Sequence, residues 1–195
     1  LDCARIADST NVDLFCIGTE LSSAAVKRAD FWRELIKKVK QVYSGPLTFG
    51  ANWDNFQNIE FWDDLEYIGI SAYFPLSNKK SPSVRDALKG WKKHARLIEE
   101  ISERYARPVL FTEYGYKSIE YAGKEPWSDN NKNSIDEGVQ QTLYKSLYET
   151  FWDKNWFAGG FAWKWFYSGN GGEKSFSPQG KMAEQIMTER YLSNR

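Results

Sequence analysis

The chain has 195 residues, 42% of them hydrophobic, which is the size of a single globular domain. Its 26 basic and 26 acidic residues cancel, so no global field recruits nucleic acid or an anionic membrane. One histidine, His94, and two cysteines, Cys3 and Cys16, argue against a histidine-based triad, a zinc site or a disulfide framework.

Residues 1–10 read as the last turns of a helix, with Ile6 and Ala7 as its apolar contacts. VDLFCIGTE (Val12 to Glu20) follows as a strand ending in a carboxylate, with Cys16 a free, buried thiol inside it. A polar linker leads to Asp30, which caps a helix whose apolar positions are Phe31, Leu35, Val39 and Val42. Ser44-Gly45-Pro46 ends that helix. LTFGANW (Leu47 to Trp53) is the second strand and ends in Asn52 and Trp53. A short helical stretch around Phe61, Trp62 and Leu65 precedes YIGISAYFP (Tyr67 to Pro75), a third strand that delivers Tyr73 and Phe74.

Ser83 and Asp86 form a capping box for a long helix with the stripe Val84, Leu88, Trp91, Ala95, Ile98, Ile101 and Tyr105. His94 lies in a Lys-rich part of it and reads as a solvated surface residue. PVLFTEYGY (Pro108 to Tyr116) is the fourth strand, a buried apolar run that ends on Glu113. A charge there is costly unless it is hydrogen-bonded or used. Lys117 to Asn133 is polar and irregular. Ser134 with Glu137 predicts another capping box, followed by Val139, Leu143, Leu147 and Phe151 at four-residue spacing. FAGGFAWKWF (Phe157 to Phe166) is the fifth strand, ending in Trp163-Lys164-Trp165. Ser177 with Pro178 opens a final helix through Met182, Ile186 and Tyr191.

Apolar strands alternating with helices predict parallel βαβ units. No strand is followed by GxGxxG or a phosphate loop, which argues against a nucleotide-binding open sheet. Instead the strands end in Glu20, Asn52, Tyr73, Glu113 and Trp163, and chemistry at the carboxyl ends of many strands is the habit of a (β/α)8 TIM barrel. Five units at about 39 residues each are too few for a barrel of eight. The count therefore predicts the last five units, strands 4 to 8, of one catalytic domain (residues 1–195) that is incomplete at its N-terminal side. No apolar run approaches transmembrane length and no signal peptide is visible, although Leu1 does not read as a natural start.

Glu20 and Glu113 form the strongest chemical constellation. Glycoside hydrolysis needs such a pair: one acid protonates the leaving oxygen while the other attacks or activates water. Singly, either residue is also compatible with a solvated loop acid; their shared placement at strand ends beside Tyr73 and Trp163 favours the pair. Nine Trp and 11 Tyr are many for this length, and their faces suit the apolar C–H faces of sugar rings, although many must simply pack between helices and sheet. Asp129 and Asp136 lie beyond strand ends without metal-type spacing, so no metal or other cofactor is called for.

IGTELSS, FGANW, WDDLEYIGISAYFPL, PVLFTEYGY, FAWKW and FSPQGK, in that order, resemble glycoside hydrolase family 113, and the resemblance spans nearly the whole chain. It implies a clan A retaining (β/α)8 enzyme, chiefly an endo-β-1,4-mannanase, acting on an oligo- or polysaccharide. Such a substrate favours a secreted or cell-envelope location. By the same resemblance Glu20 is the general acid/base and Glu113 the nucleophile. Tyr73 hydrogen-bonds the nucleophile, Trp163 floors the sugar at the cleavage point, and Asn52 and Trp53 line the cleft. These roles call for a raised pKa at Glu20 and a low one at Glu113. Thr19 stands where clan A usually places the Asn that contacts the sugar 2-hydroxyl, the position that separates mannose from glucose. A hydrolase for another β-glycan, or a carbohydrate-binding barrel without catalysis, remains open beside the mannanase reading.

Overall fold

The computed structural model describes residues 1–129, 132–169 and 171–193. Five strands pair in parallel in the order β1-β2-β3-β4-β5: β1 (Phe15–Thr19), β2 (Leu47–Asn52), β3 (Ile68–Ser71), β4 (Val109–Tyr114) and β5 (Phe157–Ala162). Helices α1 (Asp2–Ser9), α2 (Ser22–Lys27), α3 (Ala29–Lys40), α4 (Val84–Tyr105), α5 (Glu137–Phe151) and α6 (Met182–Ser193) alternate with them. Sequential parallel pairing with helices between the strands is the arrangement of consecutive units of a TIM barrel.

The outward face of the sheet carries the core. Phe49 of β2 meets Trp32 of α3 at 4.9 Å between ring centroids, and Phe111 of β4 meets Phe151 of α5 at 5.0 Å. Trp91 of α4 is fully buried and closes on the same Phe151 edge-on at 4.9 Å. Edge-to-face geometry lets the positive rim of one ring meet the negative face of another, so the rings specify orientation as well as burying area. The inner face is different: Thr48, Gly50, Gly69, Ser71 and Thr112 are small. At Gly69 a Cβ would lie 2.3 Å from the Phe49 carbonyl oxygen, so close approach of the backbones requires glycine there.

Local signals placed most elements and mis-set some details. The capping box of α4 is present, Ser83 accepting from the Asp86 amide and Asp86 from the Ser83 amide. In α5, by contrast, Asp136 is the cap and accepts from Val139 at 3.0 Å. Ser134 is engaged elsewhere: its carbonyl accepts from the Glu120 amide, while the Asp136 amide donates to Ser118, so the helix starts later. The expected linker after β1 contains α2, and α3 begins at Ala29, with Asp30 in its first turn. Its buried residues are Trp32, Ile36 and Val39, a face rotated from the predicted one; Phe31 lies outside under the Arg28 guanidinium. α1 likewise buries Ala4 and Ala7 and leaves Ile6 exposed. α6 starts at Met182, because Gln179 is held in a turn by bonds to both backbone groups of Phe166.

Two single residues also differ from expectation. Cys16 is free but exposed, since it lies on an edge strand. His94 is not a solvated residue: its ring packs on Phe74 at 4.8 Å, Nε2 lies 3.1 Å from the Pro75 carbonyl, and burial lowers its pKa.

Because Trp91 supports both α4 and α5, Trp91→Ala in the complete protein should cost about 3–5 kcal/mol, read from denaturant unfolding midpoints.

Candidate active site

β4 is built to deliver a carboxylate. Val109, Leu110 and Phe111 are buried, and Glu113 follows where the strand reaches the rim of the sheet, one residue before its end at Tyr114. The β3–β4 register shifts between Ile70 and Ser71, which sets Ser71 opposite Glu113. The Ala72 amide then donates to the Glu113 carbonyl at 2.7 Å. One residue further on, the Tyr73 hydroxyl donates to Glu113 Oε2 at 2.8 Å.

Burial, and then the charge of Glu113, push the Tyr73 phenol far above its ordinary pKa, so it stays a donor. Glu113 itself is raised. Burial is the largest cause, the Tyr73 hydrogen bond pulls the other way, and the Glu20 charge adds to the rise. The low pKa expected for Glu113 is thus corrected: the phenol acts in the expected direction, but desolvation outweighs it.

Glu20 directly follows β1, in a left-handed backbone conformation with φ +55°. Its amide donates to the Gly50 carbonyl at 2.7 Å, which fixes it beside β2. A non-glycine residue held in this region is strained, and such strain concentrates at functional sites.

Glu20 and Glu113 line one cleft of about 680 Å³ at the carboxyl ends of the strands. Asn52, Trp53, Tyr73 and Trp163 line it too, so six of the seven residues singled out in the sequence come together. Asn52 Nδ2 donates to the Ser22 hydroxyl at 2.9 Å, tying β2 to α2. Trp163 is half-exposed, and its amide donates to the Tyr114 carbonyl at 2.7 Å. Gly115 permits this approach, because a Cβ there would fall 2.1 Å from the Trp163 carbonyl oxygen. The Trp163–Lys164 peptide bond is cis.

Thr19 is the exception. It lines a neighbouring cavity of about 260 Å³ with Cys16, Thr48 and Thr112, which shares Glu113 with the cleft.

Sequence reasoning passed over Asp54, Trp127, Asp129 and Phe176 as cleft residues. Phe176 meets Tyr73 edge-on at 6.1 Å and so backs the phenol. Trp127 carried a signal, a lone indole in a polar stretch; Asp54 and Asp129 carried none. Among the described residues no group of three or more His, Cys, Asp or Glu side chains could hold a metal ion. No described helix is long and apolar enough to cross a membrane.

The fold and cleft define five consecutive units of a TIM barrel with paired carboxylates at its strand ends. The chain belongs to glycoside hydrolase family 113, whose model matches residues 1–178. A β-mannanase of that family from Alicyclobacillus acidocaldarius, solved in complex with ManMIm, superposes with TM-score 0.86 at 26% identity, over 100% of this chain and 59% of that one. A family 113 β-1,4-mannanase matches at 27% identity and TM-score 0.86, over 98% of this chain and 60% of that one. The chain therefore spans about 60% of the length of these relatives. A β-glucuronidase from Faecalibacterium prausnitzii, at 16% identity and TM-score 0.70 over 100% of this chain and 35% of that one, shares the fold. No curated protein sequence matches.

Two outcomes follow from the Tyr73–Glu113 pair. Tyr73→Phe removes the bond that favours the carboxylate, so the Glu113 titration followed by carbon-13 NMR should move further up. The second concerns stability. A raised folded pKa means that ionising Glu113 opposes folding; this cost is absent below the ordinary carboxylate pKa and complete above the raised one. Glu113→Gln should therefore melt higher than the parent at pH 7, with the gap closing as pH falls towards 4.

Proposed function

We propose that this chain supplies the catalytic pair of a retaining glycoside hydrolase acting on β-1,4-linked mannan, as part of one catalytic barrel domain. The observation that carries the reading is that Glu113, clamped by Tyr73, lines the same cleft as Glu20. Membership of family 113 and likeness to β-mannanases support the substrate class.

In this reading Glu113 attacks the anomeric carbon while Glu20, protonated at the start, gives its proton to the leaving glycosidic oxygen. The products of the first step are a covalent glycosyl-enzyme and the released sugar chain. Glu20, now a carboxylate, takes a proton from water, whose oxygen attacks the same carbon and frees Glu113. Two inversions give net retention, which requires carboxyl groups about 5–5.5 Å apart. The Tyr73 phenol has two uses. It holds the Glu113 oxygen in line, and it favours the negative charge there over a proton. The indole of Trp163, half-exposed just after β5, the strand paired with β4, offers an apolar floor to the sugar. Asn52 and Trp53 line the wall beyond. No cofactor enters any step.

A second reading, hydrolysis of another β-glycan, is favoured by Thr19 standing directly before Glu20, where the resemblance expects Asn. The shorter threonine hydroxyl offers the sugar 2-hydroxyl less reach than the asparagine amide would. Turnover of β-1,4-mannan against β-1,4-glucan by the complete protein separates the two.

Glu113→Gln and Glu20→Gln in the complete protein should each lower turnover of mannan by about a thousandfold. Glu20→Gln should lose far less on an aryl glycoside, whose leaving group needs no proton. Proton NMR should show the β-anomer as the first product. Parental turnover in either variant rejects the assignment, and binding without any release of reducing ends would favour a non-catalytic module.

A further inference from the structure

Phe176 backs the Tyr73 phenol, yet it belongs to no strand or helix. It lies between β5 and α6, in the FSPQGK stretch, which the chemistry of the cleft leaves unexplained. Irregular backbone that runs into the interior must find partners for its carbonyl groups. Two polar side chains that do not line the cleft supply them: Gln140 of α5 and Lys181, just before α6.

Gln140 is fully buried. Its Nε2 lies 2.8 Å from the Tyr116 carbonyl and 3.1 Å from the Phe176 carbonyl, with those of Ser177 and Ser175 at 3.3 and 3.4 Å. A side-chain amide carries two N–H groups, and its two nearest acceptors here belong to different segments. One bond goes to the stretch leaving β4, the other to the stretch that holds Phe176. Lys181 is also buried and joins the same two segments. Its Nζ donates to Ser118 Oγ at 2.9 Å, and to Ser175 Oγ and the Ser175 carbonyl at 3.0 and 3.2 Å. Ser118 closes the seam by donating from Oγ to the Glu173 carbonyl and from its amide to that of Ser175.

Both sides of this seam reach the Tyr73–Glu113 pair. Tyr116 follows Glu113 on the same run of chain. Phe176 meets Tyr73 edge-on at 6.1 Å, and the Tyr73 hydroxyl donates to Glu113. Lys117, between Tyr116 and Ser118, sets its ammonium 5.2 Å from the centre of the Phe176 ring.

We propose that Gln140 is a positioning residue for the hydrolytic reaction, with Lys181 as a second anchor: together they fix Phe176, and Phe176 fixes the Tyr73 phenol on Glu113. The proposal rests on the hydrolase reading of the cleft and adds a support outside it that acts through the phenol. A hydrogen bond weakens steeply as donor and acceptor lose alignment, so a ring free to drift behind Tyr73 leaves Glu113 with a poorer donor. A buried amide is an expensive occupant of a helix face that also buries Val139, Leu143 and Tyr144, and bridging two segments gives it a use.

The test is a double-mutant cycle in the complete protein. Gln140→Leu keeps the bulk of the side chain and removes both donors. The Glu113 titration, followed by carbon-13 NMR, should move up, as in Tyr73→Phe, and kcat on β-1,4-mannan should fall about tenfold with KM little changed. In the Tyr73→Phe background the same substitution should leave the titration where Tyr73→Phe put it and cost less than about twofold in kcat. Lys181→Met, which leaves the Gln140 bonds in place, should shift the titration in the same direction by less, and Lys181→Arg should restore it. Equal losses in both backgrounds, as general loosening would give, overturn the proposal. So does a titration that stays put, or one that moves down because water has entered. If the parent protein hydrolyses no β-glycan, the hydrolase reading fails, while the titration still decides whether Gln140 acts through the phenol.

Discussion

The contact between β3 and β4 at the rim of the sheet holds the site together. A shift of register between Ile70 and Ser71 places Ser71 across from Glu113 and brings the Ala72 amide onto the Glu113 carbonyl. The chain then has two residues in which to turn Tyr73 over the carboxylate, where its hydroxyl lies 2.8 Å from Oε2. Without the shift, the alternation of a strand would send the neighbouring side chains to the opposite face. The site is therefore a consequence of pairing geometry. Phe176 behind the phenol and the Glu113 main chain beneath it leave Tyr73 little freedom.

Aromatic side chains do two jobs in this molecule, and burial separates them. Phe49, Phe111, Trp91 and Phe151 are sealed between sheet and helices, where edge-to-face packing sets helix orientation. Trp163, Trp53 and Trp127 lie at the carboxyl ends of the strands, partly open to the cleft. Phe74 joins the two populations, touching Trp91 on one side and Trp53 on the other. Rigidity acquired by core packing is thereby passed to the rings that line the cleft.

Burial also explains why the electrostatics of the site run against simple expectation. Tyr73 stabilises the Glu113 carboxylate, yet the carboxyl is raised, because desolvation and the Glu20 charge both oppose ionisation. The phenol opposes both effects by donating to the charged form of Glu113.

The linear sequence was sufficient for the alternation of strands and helices, the parallel class of the sheet and the acids at two strand ends. Runs such as VLFTE and the capping box at Ser83 are encoded in adjacent residues and need no distant partner. It could not settle which side of α1 and α3 turns inward, because Ala4 and Trp32 win burial only through what the rest of the chain packs against them. Nor could it show that Cys16 is exposed, that His94 is packed on Phe74, or that Asp136 replaces Ser134 as a cap. Only the tertiary structure set the sign of the Glu113 shift and stacked Trp127 on Trp53. Desolvation and stacking depend on groups far apart in the chain and close only once it has folded.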